Sequence, residues 1–407
     1  MSDNITKSPQ FRFAGYTDAW EQRKLGEIYT ERNERGNNSL QILSVSIHHG
    51  ISNGELDSST LGKEVRRSED KSLYKGVRSG DLVFNMMRAW QGAIGVAKIE
   101  GMVSPAYITA IPNEKLFPPF MDYCLRRHEI ITQIDNFSYG VTDFRKRLYW
   151  DSFSKVSCLI PSVPEQIKIN SFFNQLDNLI TLHQRKLELL KDTKKGLLQK
   201  MFPKDGADVP EIRFAGFTDA WEQRKLSDVL TERNVQHPQN KDYPLVSFTV
   251  EKGVTPKTER YEREQLVVGD KAAKKYKATE LNDIVYNPAN LKFGAISRNS
   301  YGKAVFSPIY VTFEVNDKLA FPSYVEMFVT RQDFIRYSLR YQQGTVYERQ
   351  SVSPEDLLSL KILLPGKEEQ LQIGNFFDQL NDTIALQQRE LNSLKKLKES
   401  LLQQMFV

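Results

Sequence analysis

Cysteine is almost missing from this sequence: Cys124 and Cys158 are the only two in 407 residues. That excludes a disulfide framework. The two also lie too far apart, with no partner spacing, to read as a zinc ligand set, so the chain is expected in a reducing cytoplasm. Long apolar runs are absent too. Nothing approaches the roughly 18–20 residues of a membrane span, and the opening MSDNITKSPQ has no apolar stretch of a secretion signal. A surplus of one charge is lacking as well. Lys and Arg number 56 against 51 Asp and Glu, a net +5, which is compatible with a nucleic-acid partner without requiring one.

Catalytic motifs are also lacking. No G-x-x-x-x-G-K-[ST] loop is present to cradle a nucleotide phosphate. His48-His49 is an adjacent pair, and neighbours on a strand point to opposite faces, so it reads as a polar loop and not a metal site. Asn287-Pro288-Ala289-Asn290 is faintly similar to the Asn-Pro-Pro-aromatic loop of adenine methyltransferases. It lacks the second proline and the aromatic ring that would stack on a flipped base, so it reads as a turn. No catalytic residue, no metal ligand and no cofactor site is assigned.

What the chain does contain is repetition. RFAGYTDAWEQRKL at 12–25 returns as RFAGFTDAWEQRKL at 213–226, with only Tyr16 and Phe217 differing. PSVPEQIKINSFFNQLDNLITLHQRKLELLKDTKKGLLQKMF at 161–202 returns at 365–406 as PGKEEQLQIGNFFDQLNDTIALQQRELNSLKKLKESLLQQMF. The segments between diverge strongly. Four segments follow: a first variable half (1–157), a long helix (158–203), a second variable half (204–361) and a second long helix (362–407). A chain of this length suits about two to three domains.

The helices carry the clearest pattern. Phe173, Leu176, Ile180, His183, Leu187, Leu190, Lys194, Leu197 and Met201 are spaced three and four residues apart. Phe377, Leu380, Ile384, Gln387, Leu391, Leu394, Lys398, Leu401 and Met405 repeat the rhythm, which is the seam of a coiled coil. Roughly 38 residues at ~1.5 Å each give a rod of about 57 Å. Each helix could pack only on its own half. The length of the seam favours the two pairing antiparallel. One register sets His183 opposite Lys398 and Gln387 opposite Lys194; shifts of a heptad also match apolar with apolar.

The variable halves share landmarks. Leu82-Val83-Phe84 and Ile284-Val285-Tyr286 are β-prone and follow Gly80-Asp81 and Asn282-Asp283. Gly92-Ala93-Ile94 aligns with Gly294-Ala295-Ile296, and Val103-Ser104-Pro105 with Phe306-Ser307-Pro308. Gly140-Val141-Thr142 and Gly344-Thr345-Val346 stand before Arg145 and Arg349. The fold class is therefore α+β: two domains of mixed strands and short helices joined by a long two-helix antiparallel coiled coil, with pseudo-two-fold symmetry.

Differences between the halves concentrate in loops, where binding residues usually sit. Arg, Lys, Asn and Gln gather there around aromatics, in side-chain types that neutralise phosphates or read purine edges. Candidate DNA contacts are Arg88, Gln91, Tyr139, Thr142, Arg145 and Lys146 in the first half. In the second they are Asn290, Lys292, Gln343, Thr345, Tyr347 and Arg349. For any single basic residue a solvated surface charge is the commoner explanation. The signal is recurrence at matching places.

With these motifs in view, the chain resembles the DNA-specificity (S) subunit of a Type I restriction–modification system over its whole length. The resemblance rests on FAGYTDAWEQRKL, on the PxxxEQ…FFNQLDNLI…RKLELLK…LLQKMF helix, on their copies, and on the GDLVFN and NDIVYN strand entries. It implies that each variable half is a target-recognition domain reading one part of a split, asymmetric site on double-stranded DNA. The helices would form the spacer and dock two methyltransferase (M) subunits, joined by restriction (R) subunits. S-adenosylmethionine, ATP and Mg would belong to those partners, and this chain would perform no chemistry itself. Recognition loops would fall near 44–51 and 246–254, 85–91 and 287–293, and 139–147 and 341–350. Arg88, Gln91 and Lys292 would lie near base edges, and Arg145 and Arg349 would clamp phosphates. Two other classes are distinguishable: a nuclease or methyltransferase with a divergent site, which would act alone, and a coiled-coil adaptor, which would not bind DNA.

Overall fold

The computed structural model describes residues 8–37, 39–47, 50–52, 71–140, 146–204, 206–250, 253–256, 275–344 and 350–407. The chain forms two compact units: residues 1–184 with 390–407, and residues 185–389. Both cuts fall within the long helices, so each unit takes part of both.

In the first unit the strands Tyr29–Glu31, Tyr107–Pro112, Leu82–Asn85 and Ile94–Val96 lie side by side in that order, all antiparallel. Side chains alternate across a strand. Leu82 and Phe84 therefore enter one core with Trp20, Phe120, Phe153 and Phe173, while Val83 faces a second cluster with Leu43, Val77 and Val103. The second unit builds the same sheet from Leu230–Glu232, Val311–Val315, Ile284–Tyr286 and Ile296–Arg298. Ile284 and Tyr286 face the main core, and Val285 faces Val246, Val254 and Phe306.

The turn before the central strand explains its sequence. Gly80 has φ 92° and Asn282 has φ 73°, a region open to glycine and, among other residues, most readily to asparagine. The aspartate that follows is buried and held twice. Arg32 donates to both oxygens of Asp81 at 2.7 and 2.9 Å, and Arg233 to those of Asp283 at 2.8 and 3.1 Å.

The repeated motifs form the frame. Arg12 donates to both oxygens of Glu165 at 2.7 Å. Gln166 accepts from the Phe117 N–H at 2.8 Å and donates to the carbonyls of Lys115 and Pro161, each at 2.9 Å. Arg213, Glu369 and Gln370 repeat this set, down to Phe321, Leu319 and Pro365. The E-Q dipeptide is thus a clamp: the glutamate takes the arginine of the first motif, and the glutamine satisfies backbone that water cannot reach.

The long helices run Val163–Lys200 and Lys367–Gln404. They start later than the pattern suggested because Ser157–Ile160 and Lys361–Leu364 are strands, paired antiparallel with Glu21–Lys24 and Glu222–Lys225. Every seam residue named above is buried or half-buried, whereas Leu179, Leu182, Leu189, Leu386 and Leu397 are exposed. Pairing within the first unit is antiparallel: Lys398 meets Asp177 at 2.5 Å and Glu390 meets His183 at 3.7 Å. This corrects the register favoured on sequence grounds, which set His183 against Lys398. The observed contacts match the alternative shifted by a heptad, because Lys398 reaches a carboxylate there and His183 offers none.

Neither helix packs solely on its own half. Met405 and Phe406, just past the end of the second helix, sit in the core of the first unit, with Phe406 5.4 Å from Phe120 and Arg127 5.2 Å above its ring. Met201 and Phe202 fill the matching place in the second unit, under Arg331 at 4.6 Å. The cysteines, distant in sequence, are both buried in the first core, where the neighbouring Cys124 thiol, and after it burial, pushes the Cys158 thiol up.

Candidate nucleic-acid interface

In each unit three loops named from sequence converge beside the sheet. The turn from the central strand Leu82–Asn85 or Ile284–Tyr286 to the edge strand that follows it contains a single 3₁₀ turn, Ala89–Gln91 or Leu291–Phe293, closed by Gly92 or Gly294 in the left-handed conformation. A methyl added to Gly92 would lie 3.7 Å from the Ile47 carbonyl, and one on Gly294 3.5 Å from Val250. The loops around 47 and 250 therefore border these turns. On the other side, Leu148 donates to the Met86 carbonyl at 2.8 Å, and Val352 to that of Pro288 at 3.3 Å. This brings in the ladders Tyr139↔Arg147 and Gln343↔Ser351.

Within this edge Arg88, Gln91, Asn290 and Lys292 are all exposed on their turns. Asn85 and Asn287 have another task. Their side-chain oxygens accept the N–H two residues on, from Met87 at 2.9 Å and Ala289 at 3.1 Å, so they build the turn. Tyr139 is 59% exposed and stacks on Tyr149 at 5.3 Å.

Two candidates are already engaged. Lys146 donates to Asp135 at 2.8 Å and lies 5.4 Å from the Trp90 ring centre. Gln343 donates to Asp356 at 2.8 Å. Both act as braces for the loop in this structure. Thr142, Arg145, Thr345, Tyr347 and Arg349 lie outside the described residues, as do His48 and His49.

The sequence reading passed over Tyr149 and Phe293, and placed Arg147 in the 139–147 loop without choosing it as a candidate contact. Arg147 is exposed, and Phe293 is 65% exposed with Lys292 Nζ 5.1 Å from its ring. The available signal was the aromatic beside a basic residue on a short turn, a pairing that offers both apolar contact with a thymine methyl and charge for a phosphate. Among the described residues no group of three or more His, Cys, Asp or Glu gathers to hold a metal ion, and no helix is long and apolar enough to cross a membrane.

Residues 218–396 match the family model described as the Type I restriction modification DNA specificity domain. The chain is 21% identical over 376 residues to the putative type I restriction enzyme MjaX specificity subunit of Methanocaldococcus jannaschii, covering 86% of this chain and 83% of that one. It is 22% identical over 181 residues to the MjaVIII specificity subunit of the same organism, covering 42% and 41%. Among solved structures, the S subunit of a Type I restriction–modification system from M. genitalium superposes with a TM-score of 0.57 at 10% identity, covering 98% of this chain and 99% of that one. A structure described as showing complex assembly and conformational transition of the type I R-M system gives 0.53 at 17% identity, covering 96% and 98%.

Duplicated frame, divergent loops and these likenesses together point to the class of DNA-specificity proteins. Residues 218–396 carry the DNA specificity domain of Type I restriction–modification systems, and most of the chain is similar to specificity subunits of those systems.

Proposed function

We propose that each half of this chain reads one part of a bipartite, asymmetric DNA site in the cytoplasm, and that the long helices set the gap between the parts. The observation that carries this reading is the loop edge itself: one architecture is built twice, with Arg88 and Gln91 exposed on one turn and Asn290 and Lys292 on the other. Identical scaffolds with different exposed side chains suit two different half-sites, because base edges are distinguished by donor and acceptor pattern.

The helices also dock two copies of a methyltransferase subunit, to which restriction subunits add. Exposed apolar residues recur at matching positions of the two copies, Ile167 with Leu371 and Leu182 with Leu386. Two like patches suit two like partners, and apolar positions left open on paired helices are expected at a protein interface. S-adenosylmethionine, ATP and Mg are held by those partners, and adenine methylation or cleavage is theirs.

The test is specificity in the reconstituted complex with its methyltransferase subunit. Arg88→Ala should relax base preference in one half-site by about 1–3 kcal/mol and leave the other unchanged. Lys292→Ala should act on the other half-site alone. Loss of preference in both half-sites from either single change would contradict the division of labour.

A further inference from the structure

The two units join recognition domain to helix in different ways. In the second, Arg298 stands opposite Ile284 on the edge strand. Its N–H and Nε donate to the two oxygens of Glu326, each at 3.0 Å, and Nη2 donates to Asp378 at 3.1 and 3.2 Å. Glu326 belongs to the short helix Pro322–Val329 and Asp378 to the second long helix. One guanidinium thus ties strand, short helix and long helix together.

The first unit keeps the frame but has no arginine at the strand position. Val96 stands opposite Leu82, and its N–H donates to Asp122 at 3.2 Å, as the Arg298 N–H does to Glu326. Asp122 lies on the short helix Pro118–Cys124, and Asn174 takes the place of Asp378. The side chain between them is now that of valine. A groove of about 1390 Å³ opens there, lined by Val96, Asp122, Tyr123, Asn170, Asn174 and Asp177. Asp177 is occupied by the Tyr123 hydroxyl at 2.8 Å and by Lys398 at 2.5 Å. Arg126, nearby, donates to the Ile47 carbonyl at 3.2 Å. Asp122 is in no salt bridge among the described residues; burial raises its pKa, against the lowering pull of the Val96 N–H and of Arg126, Lys98 and Lys398 on the groove wall. Asn170 is 6% exposed, and its Oδ1 has no hydrogen-bond partner.

We propose that this groove is a guanidinium site, filled by an arginine side chain of a partner polypeptide. A planar guanidinium matches a carboxylate with two parallel bonds and has further N–H groups for a neutral oxygen such as Asn170 Oδ1; the Asn174 oxygen already accepts from the Tyr123 hydroxyl at 3.0 Å. The second unit shows that this frame accepts that group when backbone delivers it. The first provides far more room than a guanidinium fills, which suits a peptide segment carrying one. That a partner polypeptide supplies the arginine rests on the specificity-subunit reading; the site chemistry rests on the comparison of the two units.

The experiment uses the full chain and its thermal unfolding midpoint, with millimolar N-acetylargininamide as probe and N-acetyllysinamide and spermidine as comparators. The arginine probe should raise the midpoint more than either comparator in the unaltered protein and in Glu326→Gln. Asp122→Asn, which retains an oxygen for the Val96 N–H, should lose that response. Val96→Arg should raise the midpoint without probe and abolish the response. Should Val96→Arg fail to fold, Asp122→Asn decides. No response in the unaltered protein, an undiminished response in Asp122→Asn, or equal effects of lysinamide or spermidine would overturn the proposal. DNA binding measured alongside separates this failure from that of the function itself, because a chain that binds DNA and ignores the probe refutes only the guanidinium site.

Discussion

Arg12 and Arg213 lie outside the long helices, yet each holds the first turn of one in place. Their partners Glu165 and Glu369 are 1% exposed as side chains, and hydrogen bonding to that carboxylate raises the pKa of each guanidinium. Removing one partner of such a pair leaves a buried charge uncompensated. Arg12→Ala should cost about 3–5 kcal/mol in the first unit by urea unfolding, and the double variant Arg12→Ala with Glu165→Gln should recover part of it. A cost below about 1 kcal/mol would place this pair with ordinary surface ion pairs. At this scale the sequence was only partly legible. Type and position marked Arg88, Gln91, Asn290 and Lys292, and the structure leaves them exposed. The same logic could not separate Asn287, which builds its turn, from Asn290, which does not, because the difference lies in which oxygen meets which N–H. Nor could it see that Lys146 is spent on Asp135 and Trp90, residues distant in the chain.

Among elements, the helices were the most legible and their register the least. The spacing of three and four separates inward from outward leucines: Leu187 is buried and Leu189 is 67% exposed. Register depends on which polar groups meet across the seam, and apolar matching is degenerate under heptad shifts. The contacts Asp177–Lys398 and His183–Glu390 decide it. They place Ile180 across from Leu394, midway between the two pairs. Ile180→Cys with Leu394→Cys should therefore form a disulfide on oxidation, as a shift in reduced-versus-oxidised gel mobility. His183→Cys with Lys398→Cys should not; the reverse pattern would restore the other register. Strands were legible where a left-handed turn and a buried aspartate announce them, at Gly80-Asp81 and Asn282-Asp283. The short strands Ser157–Ile160 and Lys361–Leu364 were missed because their partners, Glu21–Lys24 and Glu222–Lys225, lie far away in sequence.

For the whole molecule, duplication is the organising fact. The Phe11 N–H donates to the Gln404 carbonyl at 2.9 Å in one unit, and the Ile212 N–H to the Lys200 carbonyl at 2.9 Å in the other, so even the joints between motifs repeat. Frame residues recur because both units solve the same packing problem; loop residues differ because, on this account, each edge reads different bases. The measurement that tests this most directly is methylome sequencing of cells expressing the chain with its methyltransferase subunit. The account predicts methylated adenines in one bipartite motif, two unlike half-sites separated by a fixed unspecified gap, with only one half-site changing when the first variable half is exchanged. A methylome with no bipartite motif, or one in which that exchange alters both half-sites, would contradict it.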